Sequence, residues 1–206
     1  MLFYIIILII VIIVCFYYKN NSFNKNAIIY KSNINSFFSD IKTKNILLMN
    51  NINFQNIVNQ IDTNVSIFKN KIISNNLINE IKLNLNLEEL NSNIIFKKYY
   101  SLTININKSE LLTSKFEYNI INQIKGNTTF YLINPKHKKD ILNKNNNEIK
   151  KYSYKIILNE NDLLLIPNNW FYFFENDNKY ILLHIDYDSY FTYFINYVKN
   201  KYIQYI

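Results

Sequence analysis

Two histidines and fifteen carboxylates are the chain's whole stock of ordinary acid–base and metal-binding groups. His184, Asp186 and Asp188 recur at every second position of the apolar run YILLHIDYDS, so on a strand they fall on one face. There His184 and Asp186 could chelate a cation together, since imidazole and carboxylate are both ordinary ligands of divalent metals. The plainer reading is a barrel-lining or strand-end histidine beside solvated carboxylates. His137 lies in a polar loop after Pro135, far along the chain from this run. Cys15 is the only cysteine, which excludes an intrachain disulfide and a cysteine metal cluster. The sequence has no glycine-rich phosphate loop and no Ser or Cys nucleophile with a paired histidine.

The elements that would position these residues are strands. From Ile94 onward, short apolar runs recur over 101–106, 118–124, 128–133, 154–158, 162–167, 171–175 and 180–186. Seven or so runs at this spacing predict a sandwich or barrel. Upstream the pattern is mixed. A strand over 46–49 is followed by a helix with Phe54, Ile57, Val58 and Ile61 on one face, a strand over 65–68, and a helix over 74–91 capped by Ser74. At the far end, Phe191, Phe194, Ile195, Val198 and Tyr202 form one helical stripe. Residues 190–206 are thus expected as an amphipathic helix that packs on the domain's own sheet, or else mediates a homodimer or binds a protein partner.

Residues 2–18 read LFYIIILIIVIIVCFYY without a charge. At about 1.5 Å per residue they cross most of a hydrocarbon core of about 30 Å, and Tyr17 and Tyr18 end them as an interfacial aromatic pair. The basic leader and small-residue cleavage site of a signal peptide are missing. The expected organisation is a retained single-pass transmembrane anchor over 1–18, a polar tether over 19–31 and one folded domain over 32–189. Lys19, Lys25 and Lys31 follow the span, which puts the domain on the cytosolic side. The net charge of +8 comes from dispersed lysines with no arginine, so it does not point to nucleic acid. Abundant Asn, Ile and Lys beside a single Gly and two Pro suit an AT-rich genome such as that of a large DNA virus, with the protein in a virion or host membrane.

Two stretches carry a more specific signal. YNIINQIKGNTTFYLINP, over 118–135, and ILNENDLLLIPNNWFYFFE, over 157–175, resemble segments of the JmjC-like cupins, the double-stranded β-helix family that includes asparaginyl and histone-lysine hydroxylases. Asn119, Gln123, Gly126 and Pro135 match the first segment, and Asp162, Pro167 and Trp170 the second. Asn161 stands where the family's turn has glycine. The resemblance implies a mainly β fold with flanking helices, a cupin or jelly-roll barrel beside the one N-terminal transmembrane helix.

Active members of that family hold Fe(II) with two His and a carboxylate and bind 2-oxoglutarate at the metal. Carried over residue by residue, the three ligand positions fall on Thr113, Lys115 and Tyr172, and the cosubstrate lysine on Thr128. A hydroxyl, an ammonium and a phenol are poor substitutes, and an ammonium repels a cation. The resemblance therefore implies a non-catalytic cupin without cofactor. An oxygenase using Fe(II) and 2-oxoglutarate with rearranged ligands, His184 and Asp186 among them, is the alternative.

Overall fold

The computed structural model describes residues 3–8, 10–11, 28–33, 36–37, 40, 46–50, 95–104, 107–176, 179–190 and 193. Its strands, in chain order, are β1 (Ile29–Ser32), β2 (Ile46–Met49), β3 (Ile95–Ile104), β4 (Leu112–Thr113), β5 (Tyr118–Lys125), β6 (Thr128–Ile133), β7 (Ser153–Leu158), β8 (Leu163–Pro167), β9 (Phe171–Glu175) and β10 (Ile181–Ser189). They form a sheet of order β1-β2-β8-β5-β10-β3 and a second of order β4-β9-β6-β7. From β3 to β10 the eight strands divide four and four between the sheets, in the interleaved order of a jelly roll. The domain is thus mainly β, as the two-residue periodicity predicts.

Alternation along the strands sorts side chains into layers. Ile121, Leu164, Ile166 and Leu182 of the larger sheet meet Phe130, Leu132, Ile156, Tyr172 and Phe174 of the smaller one, with Trp170 and Tyr180 closing the barrel interior. The opposite face of the larger sheet is covered too. Ile120, Ile124, Leu163, Leu165, Leu183, Ile185 and Tyr187 pack there with Phe37 and Met49. β10 lies between β3 and β5, and all nine of its residues are buried.

The sequence placed residues 29–31 in the tether, but they belong to β1, which pairs in parallel with β2 from Ile29↔Ile46 to Ser32↔Met49. Four residues of mixed polarity carry no readable period, and pairing with the buried β2 is what makes them a strand. β4 was unreadable for the same reason, being two residues long. β3 begins at Ile95 and β10 runs to Ser189, both beyond their expected bounds, because each edge continues the ladder of a neighbour. The polar stretch after Pro135 is partly helical. Asn145 and Glu148 form a capping box for the turn Asn146–Ile149, and Ile141 and Ile149 pack on the outer face of the smaller sheet beside Ile133 and Phe173.

Residues 3–8 and 10–11 are helical with exposed apolar side chains. Among the described residues no helix is long and apolar enough to cross a membrane. The expected elements over 54–61, 65–68 and 74–91, and the C-terminal helix apart from residues 190 and 193, lie outside the described residues.

Gly126 occupies the turn between β5 and β6 with φ +74°, and a Cβ there would sit 2.5 Å from the carbonyl oxygen of Lys179. Asn143, Asn161 and Asn169 also have positive φ, a region Asn tolerates better than other residues with side chains. Asn161 thus takes the conformation expected of the missing turn glycine. Gly126→Ala is expected to cost about 1–3 kcal/mol through backbone strain alone, with the carbonyl clash adding to it. Chemical denaturation of the full chain measures this, and a loss below about 0.5 kcal/mol would show that the turn relaxes freely.

Candidate functional site

The even-numbered residues of β10 point into the barrel, following Leu182. His184, Asp186 and Asp188 therefore share the inward face, and all three are buried. The ladder sets Asn119 of β5 directly opposite Asp186, and Ile121 opposite His184. Across the barrel, Tyr172 of β9 turns inward as well and is buried. The interior is apolar toward Leu158 and Tyr180 and polar toward the end where β5 begins and β10 stops.

Burial decides the protonation of this cluster. Desolvation pushes the His184 imidazole down to about 4, so it is neutral at pH 7. Its Nε2 lies 3.0 Å from the Thr103 hydroxyl, which therefore serves as its partner. Desolvation, reinforced by the neighbouring Asp188 carboxylate, pushes Asp186 up to about 8. A neutral Asp186 has an O–H to donate, and the Oδ1 atoms of Asp186 and Asn119 are both buried without a partner among the described residues. One proton on Asp186 removes a buried charge and supplies a donor at the place where the ladder brings Asn119. Tyr172 is held protonated as well, chiefly by desolvation and then by Asp186.

Of the three positions that the resemblance assigns to metal ligands, the structure turns one inward. Tyr172 pairs with Leu112, and Thr113 pairs with Phe171 one step along. Successive side chains of a strand take opposite faces, so Thr113 stands with Phe171 on the outside of the smaller sheet, where it is exposed. Lys115 is exposed in the following turn, whose carbonyl accepts from the Asn168 side chain. Thr128, at the cosubstrate position, is buried and accepts a 3.1 Å hydrogen bond from Asn176, which also bonds the carbonyl of Asn127.

The His184 imidazole is partnered by the Thr103 hydroxyl. Among the described residues no three His, Cys, Asp or Glu side chains are grouped to hold a metal ion. Sequence reasoning identified His184, Asp186 and Asp188 as one face but missed Thr103 as the partner of His184 and Asn119 as the residue opposite Asp186. Both placements come from β3 and β5, whose register no local pattern specifies.

The other matched residues serve the turns. The Asp162 carboxylate accepts from the backbone N–H of Asn159 at 2.9 Å, and its carbonyl accepts from the Gln123 N–H at 2.8 Å. Pro135 opens a 3-10 turn whose cap, Asn134, accepts from the Lys136 N–H. The backbone N–H of Trp170 donates to the Pro167 carbonyl across the turn from β8 to β9. His137 pairs with Asp140 at 3.2 Å, well apart from the barrel interior.

No protein-family model and no curated protein matches the sequence. Solved structures similar in shape include a hydroquinone 1,2-dioxygenase of Sphingomonas crystallised with 4-hydroxybenzoate, at TM-score 0.36 and 10% identity over 45% of this chain and 60% of that one. A cupin-2 domain protein of Shewanella frigidimarina matches at TM-score 0.31 and 8% identity, over 44% of this chain and 70% of that one. The oxalate decarboxylase of Bacillus subtilis matches at TM-score 0.34 and 12% identity, over 45% of this chain and only 22% of that one. The strand order itself makes the domain a double-sheet jelly roll.

The protonation states give a pH signature. Below its ordinary value of about 6.5 the unfolded His184 binds a proton that the folded one refuses, so this group makes stability rise with pH between about 4 and 6.5. Asp186 acts in the opposite sense, because the folded state keeps a proton that the unfolded chain loses above about 4. Its contribution is lost as pH rises toward about 8. The two oppose below 6.5, and Asp186 dominates above it. Stability should therefore fall by roughly 0.6–0.9 kcal/mol per pH unit between 6.5 and 8, since His184 still opposes at the lower edge and Asp186 is half ionised at the upper. Asp186→Asn should remove that slope, which melting curves across this range read directly. A wild-type chain with level stability there would mean that Asp186 is already ionised.

Proposed function

We propose that the protein is a membrane-anchored JmjC-like cupin that performs no metal-dependent chemistry, its barrel serving as a structural or binding module. The observation that carries this reading is the sorting of the three carried-over ligand positions: Thr113 and Lys115 are exposed outside the barrel, and only Tyr172, a phenol, faces the interior. Thr128 closes against Asn176 where the resemblance would have a cosubstrate lysine. The membrane part of the proposal is supported by the uncharged run over 2–18 and by the exposed apolar side chains of Phe3, Tyr4, Ile5 and Leu8.

An oxygenase with rearranged ligands has one observation in its favour, the shared inward face of His184 and Asp186. The two readings differ in a simple titration. Full chain in nanodiscs is melted alone, with Mn(II) standing in for Fe(II), and with Mn(II) plus 2-oxoglutarate. The expected shift is less than about 1 °C in every arm, because a ligand stabilises only what it binds. A rise of several degrees that requires both additions, and that His184→Ala abolishes, would establish the oxygenase instead.

A further inference from the structure

We propose that the domain docks against an anionic membrane surface through one particular end of its barrel, the end that carries the connection between β6 and β7. The inference rests on the reading of residues 2–18 as a bilayer anchor, and it adds an orientation and a lipid chemistry to it.

The topology fixes which end meets the membrane. β1 starts at Ile29 beside the start of β2 at Ile46. β2 runs antiparallel to β8, with Leu47 opposite Leu165, so its start lies by the end of β8 at Pro167. Pro167 pairs with Tyr118, the first residue of β5, which pairs with Tyr187 near the end of β10. Three residues after Pro167, β9 begins at Phe171, which pairs with Thr113 and Ile133. Ile133 in turn faces Ser153, the start of β7. The chain therefore enters from the anchor at the same end of the barrel where the 134–152 connection leaves β6 and rejoins β7. Residues 19–28 separate the anchor from β1, a stretch of chain that reaches at most about 35 Å even when fully extended. This is the end that the connection tethers nearest the lipid headgroups.

That end is also the basic one. Lys136, Lys138, Lys139 and Lys151 are exposed on the connection, Lys144 is half-buried there, and Lys115 is exposed in the adjoining turn between β4 and β5. Lys144 and Lys151 gather over the Tyr152 ring, each 5.1 Å from its centre. Asp140 and Glu148, the acids of the connection, are turned to local work. Asp140 pairs with His137, Glu148 closes the capping box, and Glu117, in the turn with Lys115, accepts from the Ser189 hydroxyl at 3.5 Å. At the opposite end Lys108, Lys125 and Lys179 stand with Glu110, Glu160, Asp162 and Glu175 among the described residues, Glu175 also drawing Lys150 from the connection down the wall. Lysine is suited to a headgroup surface, where a flexible point charge needs no fixed geometry. The attraction acts within about 10 Å at 0.1 M salt, so it needs the proximity that the short connection to the anchor provides.

The test uses the full chain in nanodiscs of phosphatidylcholine alone and with about one-third phosphatidylserine. Hydrogen exchange is followed over 134–152, with the turn over 159–162 at the opposite end as internal reference. Exchange over 134–152 is expected to slow about threefold or more only on the anionic discs, to recover at about 0.5 M salt, and to be unaffected by lipid charge in Lys136→Glu/Lys138→Glu/Lys139→Glu. Equal exchange on both discs would overturn the docking while leaving the anchor intact. A chain that fails to float with neutral vesicles would overturn the anchor, and the docking with it. Protection produced by soluble polyglutamate but not by phosphatidylserine would assign the basic end to an acidic protein and overturn the membrane as its partner.

Discussion

The constraint on which the rest of the domain depends is that both faces of the larger sheet are covered. β10 runs through the middle of it and has no exposed side chain. Its odd-numbered residues from Ile181 to Tyr187 pack beneath the N-terminal strands, and its even-numbered ones enter the barrel. Three of the latter are ionisable, so the fold sets two carboxylates and an imidazole in a dry interior. Charge there is expensive without a partner. The raised carboxyl of Asp186, the lowered imidazole of His184 and its contact with the Thr103 hydroxyl all follow from that single placement.

The same placement separates architecture from chemistry. Gly126, Pro135, Asp162, Pro167 and Trp170 serve turns, caps and core, and each does so by backbone geometry or burial that is independent of any bound group. A jelly roll can therefore retain every turn of its pattern while its interior takes up different side chains. Phe130, Trp170, Tyr172 and Phe174 fill that interior as packing residues, with Phe130 and Phe174 tilted against each other at 5.5 Å. Outside the smaller sheet, Glu175 lies between Lys108 at 3.2 Å and Lys150 at 2.7 Å. Burial would raise its carboxyl, but the two lysines outweigh it and hold the group below its ordinary value. That bridge ties the 134–152 connection to the barrel wall.

Much of the barrel was legible in the sequence because its strands alternate cleanly and its turns use the few rare residues. The runs over 128–133 and 171–175 became β6 and β9 with unchanged limits. β1 and β4 were illegible because four and two residues cannot display a period, and their pairing partners are distant in the chain. The inward face of β10 was readable from its two-residue spacing. What it meets was not, since Asn119 and Thr103 reach it through ladders closed over tens of residues. Thr113 shows the opposite limit. Alignment placed it among the ligand positions, whereas the pleat of a two-residue strand points it outward beside Phe171.

The positive-φ positions carry a consequence for how little glycine such a fold requires. Jelly rolls turn tightly at every strand end, and a chain with one glycine in 206 residues would seem ill supplied for this. Asparagine fills the role at 143, 161 and 169, where space remains for a side chain. At 126 the Lys179 carbonyl stands where the first side-chain carbon would go. Compositional drift toward Asn codons can thus rewrite the corners of the barrel one by one, and it halts where the obstacle is another strand's backbone rather than the torsion angle itself.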